Sequence, residues 1–581
     1  MLSNAALAGA LGAAFIAIVI LQLNPQLPVT PRVLVPLYLT LLGFYGSALA
    51  VGFYCAIVVR QMFASRVLSP GWVSMRILAW LGTVLAAWAA WLMWQNLEVF
   101  SAVLEAEAAR RMALGMWATA ACSLLLFVVA ALHYSSGARR ASLVGATLFS
   151  LTVLAALMLP LTARGAGVPR QGAAPAPVMR QVLAPSPSPY RLTMLFLDGA
   201  SLDYISPETA QGRLPNLGRL LDTGVSMHLA TISPTQPGPV WTAASTGKSP
   251  SDNGVRSAAS YGYGAETARI ELLPDLCFAH AMVHLGLLQE RPHTAQALRT
   301  RSLWQILSAF GITVGISGVP LTDPAYPVRG YLVSDRAHLG AATFLPVEDR
   351  GLVYPPDLFA DGVPGPMEVL SPGSIEGGTQ PFDSVAPYLL GGHFTPRDDW
   401  YRRVSRALNA RFTPQVSVLR LNGIDHAGHL FLRYTLPRAF GDVSEAERLR
   451  YGRVIAQQYE LLDAEVGEWL ARATPDDVVV VVAGFGMEAV SPGKRMLSRI
   501  LGEQELSGSH ERAPEGFLMA AGGPVGRGRL PVGSIVDVAP TLLYLFGLPL
   551  GRDMSGTART DVFTREFTAR HPVTFIPTYE R

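Results

Sequence analysis

Charged residues are scarce here. They make up 15% of the 581 positions, half of all residues are apolar, and mean hydropathy is positive. Such a balance excludes an ordinary soluble chain throughout. The shortage is concentrated: between Met1 and Ala163 the acids are Glu98, Glu105 and Glu107, lysine is absent, and there are eight arginines. A net charge of +3 with no basic cluster excludes nucleic acid as a partner. Cysteine is equally sparse, and Cys55, Cys122 and Cys277 cannot build a disulfide framework. Cys55 and Cys122 fall in apolar runs and read as small lipid-buried residues. Cys277 stands alone in the polar half, and no reactive role is assigned to it.

What is present is, first, long apolar runs. Five uncharged stretches, near 5–23, 33–59, 77–94, 112–133 and 141–163, are each long enough to cross a bilayer, which takes about 20 apolar residues. The first lacks a basic leader and a clean cleavage site, so it reads as a retained helix. No ionisable residue lies mid-span, which favours an anchor over a transport pathway. Arg60, Arg66, Arg76, Arg139 and Arg140 fall in loops that share one side, and the arginine bias makes that side cytoplasmic. The N-terminus is then cytoplasmic and everything after the fifth span extracytoplasmic, with Arg110, Arg111, Arg164 and Arg170 mildly opposed. The stretch EVFSAVLEAEAARR at 98–111 reads as an interfacial amphipathic helix or a solvated loop helix.

Residues 1–163 are therefore expected to form a five-helix transmembrane bundle, and 164–190, rich in Pro, Ala, Gly and Ser, a semi-extended linker. From 191 to 581 short apolar strands alternate with helical patterns. LTMLFL ends at Asp198-Gly199, ITVGIS follows the amphipathic SLWQILSAFG, VSVLRL ends near Asp425, and the valine run 478–482 ends in Ala-Gly-Phe-Gly. This alternation predicts an α/β domain, a mostly parallel sheet sandwiched by helices. Chemistry in such sheets gathers beyond the carboxyl ends of the strands, so Asp198, Asp425 and Gly484 should converge. Segments near 255–300 and 337–400 read as insertions over that face.

The segments LFLDGAS, LPNLGRLLDTGV, PVWTAASTGKSPSDNGV, SLWQILSAFGITVGISGVP, GIDHAGH, SHERAPEGFLMAAGG and SIVDVAPTLLYLFGLP occur in the order seen in the alkaline phosphatase superfamily. They resemble its type I phosphodiesterase/nucleotide pyrophosphatase branch over most of residues 191–557. Attachment to five N-terminal spans is also similar to lipid A phosphoethanolamine transferases and lipoteichoic acid synthases. The resemblance implies two divalent metals, usually zinc, and a Thr or Ser nucleophile that becomes phosphorylated.

Carried over position by position, the resemblance gives one complete ligand set and one broken one. Asp425 and His429 match an Asp-x-x-x-His pair and His510 the third ligand, a good set for zinc with an open position. Asp198 matches the first ligand of the other site. Where that site needs Ser-Asp-His-Gly the chain has Ala483-Gly484-Phe485-Gly486, so Gly484 replaces a carboxylate and Phe485 an imidazole. Asp198 alone cannot hold a dication, and helix capping is its alternative role. The nucleophile position falls nine residues before Thr246, on Pro237. Thr235 is the nearby hydroxyl, able to substitute only if its loop reroutes. Thr242 and Thr246 read as backbone-satisfying residues, Lys248 as a solvated surface lysine, and His426 as a neighbour of the ligands rather than one of them.

Three functions follow. One is a degenerate enzyme on the outer face that binds a phosphorylated lipid, a glycan-linked envelope component or a partner protein. Another is a single-zinc hydrolase or phosphotransferase, and the third a purely structural membrane protein with an empty triad.

Overall fold

The computed structural model describes residues 2–63, 75–135, 143–167, 188–264, 268–342, 351–359, 382–501, 506–512 and 514–580. Most of the 164–190 linker, much of the 337–400 segment, and Arg66, Arg139, Arg140 and Arg170 lie outside the described residues. The chain forms two compact units: Met1–Gly172 with Ala259–Pro292, and Ala173–Ala258 with His293–Arg581. Part of the segment read as an insertion over the site face, Ala259–Pro292, thus groups with the N-terminal helices.

In the first unit five helices are long and apolar enough to cross a membrane: α1 (Leu2–Leu23), α2 (Pro31–Phe63), α3 (Ile77–Phe100), α4 (Ala106–Leu132) and α5 (Val144–Arg164). No separate helix covers 98–111. Phe100 ends α3, its carbonyl accepts from the backbone N–H groups of Val103 and Leu104, and α4 begins at Ala106. Val103 and Leu104 are buried, so the apolar residues of that stretch close a turn instead of facing a membrane surface. Buried polar side chains join the helices. Gln22 Nε2 donates to Pro160 O at 2.5 Å and Ser123 Oγ to Thr83 O at 3.1 Å. The buried Arg164 guanidinium donates to the carbonyls of Leu21, near the end of α1, and of Asn24 and Leu27 just beyond it.

The second unit is built on a mixed sheet flanked by helices. Its main strands are β1 (Arg191–Leu197), β2 (Val225–Ala230), β3 (Val314–Ser317), β4 (Gly330–Val333), β5 (Val416–Leu421), β6 (Asp477–Phe485) and β7 (Glu515–Gly522). Their spatial order is β2-β7-β6-β1-β5-β3-β4, with shorter strands at the edges. Strands β6, β1, β5, β3 and β4 run parallel; β7 is antiparallel to β6 and to β2. The five valines of β6 are all buried, as expected for a strand covered on both faces. Because β1, β5 and β6 are parallel neighbours, Asp198, Asn422 and Phe485 emerge on the same edge. This is the convergence the strand ends predict.

Candidate metal site

The helix that begins at Gly423, just past the end of β5, carries the two sequential candidate ligands. It is α8 (Gly423–Thr435), preceded in the same unit by α6 (Pro237–Thr246) and α7 (Pro396–Phe412). The Asp398 carboxylate, in the first turn of α7, accepts from the backbone N–H of Asn422 (3.0 Å) and of Gly423 (2.7 Å). It thereby pins the first turn of α8 against the sheet edge. Asp425 lies in that first turn and His429 one turn later, so their side chains share a face. His510 arrives from the loop after the short strand Gly508–Ser509.

The three side chains converge. His429 Nε2 is 3.5 Å from one Asp425 carboxylate oxygen and His510 Nε2 is 4.0 Å from the other. One potential ligand atom from each residue lies within 4.8 Å of the others. Both rings are oriented from behind. His429 Nδ1 donates to Gly508 O at 2.8 Å and His510 Nδ1 to Thr235 O at 3.0 Å. A carbonyl only accepts, so each Nδ1 carries the proton and each Nε2 is turned toward Asp425. Asp425 Oδ1 is buried without a hydrogen-bond partner. A buried carboxylate oxygen left orphaned between two imidazoles fits a cation, and the N₂O donor set fits zinc. Tetrahedral zinc at ordinary bond lengths holds its ligand atoms about 3.4 Å apart, a small contraction of the observed spacing. Burial alone would raise the Asp425 carboxyl, but the His429 imidazole, and then His510 and His426, outweigh it and hold it well below the usual carboxylate range. His429 moves the opposite way: burial alone would lower it, and the Asp425 carboxylate raises it. His426 itself turns aside, with Nδ1 on Asn422 O at 3.0 Å.

The neighbouring pocket is filled by protein. Asp198 is almost fully buried and faces Arg420 of β5, whose Nη2 lies 2.5 Å from Oδ2 and whose Nε lies 3.2 Å from both oxygens. Trp241 Nε1 of α6 donates to Asp198 Oδ1 at 2.6 Å, and its indole stacks on Phe196 at 4.2 Å. Asp198 does not cap the following helix; Ser201 does, accepting from Asp203 N. A Cβ built on Gly484 would sit 2.5 Å from Val240 Cγ1 and 3.5 Å from the Trp241 ring, so no room is left there for a carboxylate. The fully buried Phe485 ring lies 4.8 Å from that of His510 and walls the triad on this side.

Pro237 is the first residue of α6, where a missing N–H costs nothing. Thr235 is buried, and its hydroxyl donates to Ile232 O at 3.0 Å while its carbonyl holds His510. The structure therefore brings the Thr235 backbone to the triad and turns its hydroxyl to a local turn. Thr242 Oγ1 and Thr246 Oγ1 bond Gly238 O and Thr242 O within the helix. Lys248 departs from expectation. It is buried rather than solvated, because Asp553 at 2.7 Å and Glu580 at 3.0 Å, both from the C-terminal segment, satisfy its ammonium.

A family model described as type I phosphodiesterase / nucleotide pyrophosphatase matches residues 192–539. The chain belongs to that family. A search of curated proteins gave no match. Phosphodiesterases of this family are typically metal-dependent, and Asp425, His429 and His510 form a group that could hold a metal ion. Arg420 and Trp241 escaped the sequence reading, although VSVLRL carries a signal. One arginine among the apolar residues of a central strand must find a buried anion, and Asp198 is at the end of the adjoining strand.

Proposed function

We propose that the chain is an integral membrane protein whose outer, periplasm-facing phosphodiesterase-like domain has lost the two-metal chemistry of its family. It would hold one zinc ion through Asp425, His429 and His510 and bind a phosphorylated or glycan-linked component of the cell envelope, or a partner protein, as a pseudoenzyme. The observation that carries this reading is the Asp198–Arg420 pair. Arg420 neutralises Asp198, the residue that matches a ligand of the second metal, Val240 and Trp241 crowd position 484, and Pro237 falls at the position matched to the nucleophile. A zinc bound by the triad would supply one Lewis-acidic position for a phosphoryl oxygen. Around it, Phe485 excludes water on one side, the Gly508 and Thr235 carbonyls keep the imidazole protons away from the ligand, and Asp398 fixes the helix that carries Asp425. The test is metal content and turnover of the purified full-length chain. One zinc per chain and no hydrolysis of an aryl phosphodiester are expected. Two zinc ions per chain, or hydrolysis abolished by Asp425→Ala, would reject the pseudoenzyme.

A second reading, a single-zinc phosphoester hydrolase or phosphotransferase acting on envelope lipids or glycans, draws support from the unpartnered Asp425 Oδ1. It differs in one measurable way: slow hydrolysis that depends on Asp425 and leaves no phosphorylated Thr235.

A further inference from the structure

We propose that residues 272–288, inserted in the phosphodiesterase sequence, form a finger that enters the bilayer beside the N-terminal helices and exposes its apolar side chains to lipid acyl chains. The proposal rests on those helices being membrane spans and is independent of any chemistry at the triad.

The sequence LLPDLCFAHAMVHLGLL contains a single acid, Asp275, two histidines, and no lysine or arginine. Ionisable acids and arginines resume on either side, at Arg269 and Glu271 and at Glu290 and Arg291. Within this run only Ala279–His284 is helical, so the backbone before it cannot satisfy itself as a spanning helix would. Non-helical backbone is tolerated at membrane depth only where protein groups satisfy it, and side chains from the spanning helices and the α1–α2 turn do so. Asn24 Oδ1 accepts from the N–H groups of Glu271 and Leu272, and its Nδ2 donates to Leu272 O at 2.8 Å. Asn96, near the end of α3, accepts from Asp275 N at 2.7 Å. The hydroxyl of Tyr45 in α2 donates to Cys277 O.

The side chains divide accordingly. Cys277 and Met282 are buried against the unit, whereas Leu276 (46%), Phe278 (61%), Leu285 (59%) and Leu287 (39%) are exposed. Leu276 and Phe278 both hold positive φ, 59° and 52°, a conformation that bulky residues avoid. It places an outward residue on each side of inward Cys277. Four large apolar side chains exposed within twelve positions form a patch that water disfavours. The same unit exposes Leu124, Leu125, Leu151 and Leu154 on its spanning helices, and lipid is the solvent those residues require. The apolar patch of the finger belongs to the same unit, which selects acyl chains as its occupant.

The experiment places a nitroxide at Phe278→Cys, and separately at Leu285→Cys, in full-length protein freed of native cysteines and reconstituted in phospholipid vesicles. Collision rates with oxygen and with a water-soluble nickel chelate are then compared. Leu151→Cys on α5 serves as the lipid reference. Leu449→Cys, flanked by Glu447, Arg448 and Arg450, serves as the water reference. The oxygen-to-nickel ratio at the finger should match Leu151 and exceed Leu449 several-fold. A ratio like that of Leu449 would overturn the proposal, since the patch would then be in water. Low access to both reagents would also overturn it, in favour of a second copy or another protein as the cover. The two label positions are independent, so failure of one variant to fold leaves the other decisive.

Discussion

Asp198 and Arg420 make opposite demands on any substitution. Both are buried, and each neutralises the other, so removing one strands the other's charge. Arg420→Met should destabilise the outer domain by about 3–5 kcal/mol, read as a fall of several degrees in its melting temperature. The Asp198→Leu/Arg420→Met pair should recover most of that loss, because apolar replacement of a whole buried pair is often near neutral. Simple additivity of the two losses would show that the pair is not a unit. At the triad, Asp425→Ala should remove the carboxylate ligand and drop zinc occupancy from one per chain to near zero, measured on protein dialysed against micromolar zinc. The two sites differ in how readable they were. The Asp425–His429 spacing is a local helical pattern, so it is visible in seven letters. The Asp198–Arg420 pair is separated by more than two hundred positions and is set by strand register, Phe196 lying opposite Arg420. A lone charge in an apolar strand says that a partner exists; only the topology says which.

At the scale of an element, the end of β6 explains why the second metal site cannot be rebuilt by one change. Gly484 carries no side chain, and Val240 and Trp241 of α6 have moved into the space a side chain would take. Gly484→Asp should therefore overpack the strand–helix contact and destabilise by about 1–3 kcal/mol, with no second zinc bound. Adding Val240→Ala should relieve part of this strain, and a melting series of the single and double variants measures it. Lys248 shows a related lesson just after α6. From sequence it looks like a surface cation, yet the C-terminal segment returns to cover it, a contact about three hundred residues distant that no local pattern announces. Burial raises the Asp553 carboxyl, but the hydrogen bonds from Lys248 and Thr578 outweigh it and hold the group below its usual range. A depressed folded pKa contributes stability above the unfolded value, near 4, and loses it as pH falls through the folded value. The stability gap between wild type and Asp553→Asn should accordingly be present at pH about 6 and close as pH falls below about 4.

For the whole molecule, the division of labour between apolar helices and a helix-flanked sheet was legible because both signals are periodic and long. Runs of about 20 apolar residues and short strands alternating with helices survive any detail of packing. The assignment of Ala259–Pro292 to the helical unit was not, since it depends on Asn24, Asn96 and Tyr45 reaching backbone groups more than a hundred positions away. Metal binding should respect the same division. All three candidate ligands, and the groups that orient them, lie in the unit built on the sheet, so bound zinc would stabilise that unit by mass action, by about 2.7 kcal/mol at a hundredfold excess over Kd. Hydrogen exchange of the intact protein in vesicles, with and without zinc, should show slowed exchange in α8 and around Gly508–His510. Exchange in α1 and α3 should stay unchanged. Equal protection everywhere would mean that the triad is coupled to the helices, and no protection anywhere would mean that it takes no metal. Loss of the zinc-dependent difference in His429→Ala would tie the effect to this triad rather than to adventitious binding at other histidines.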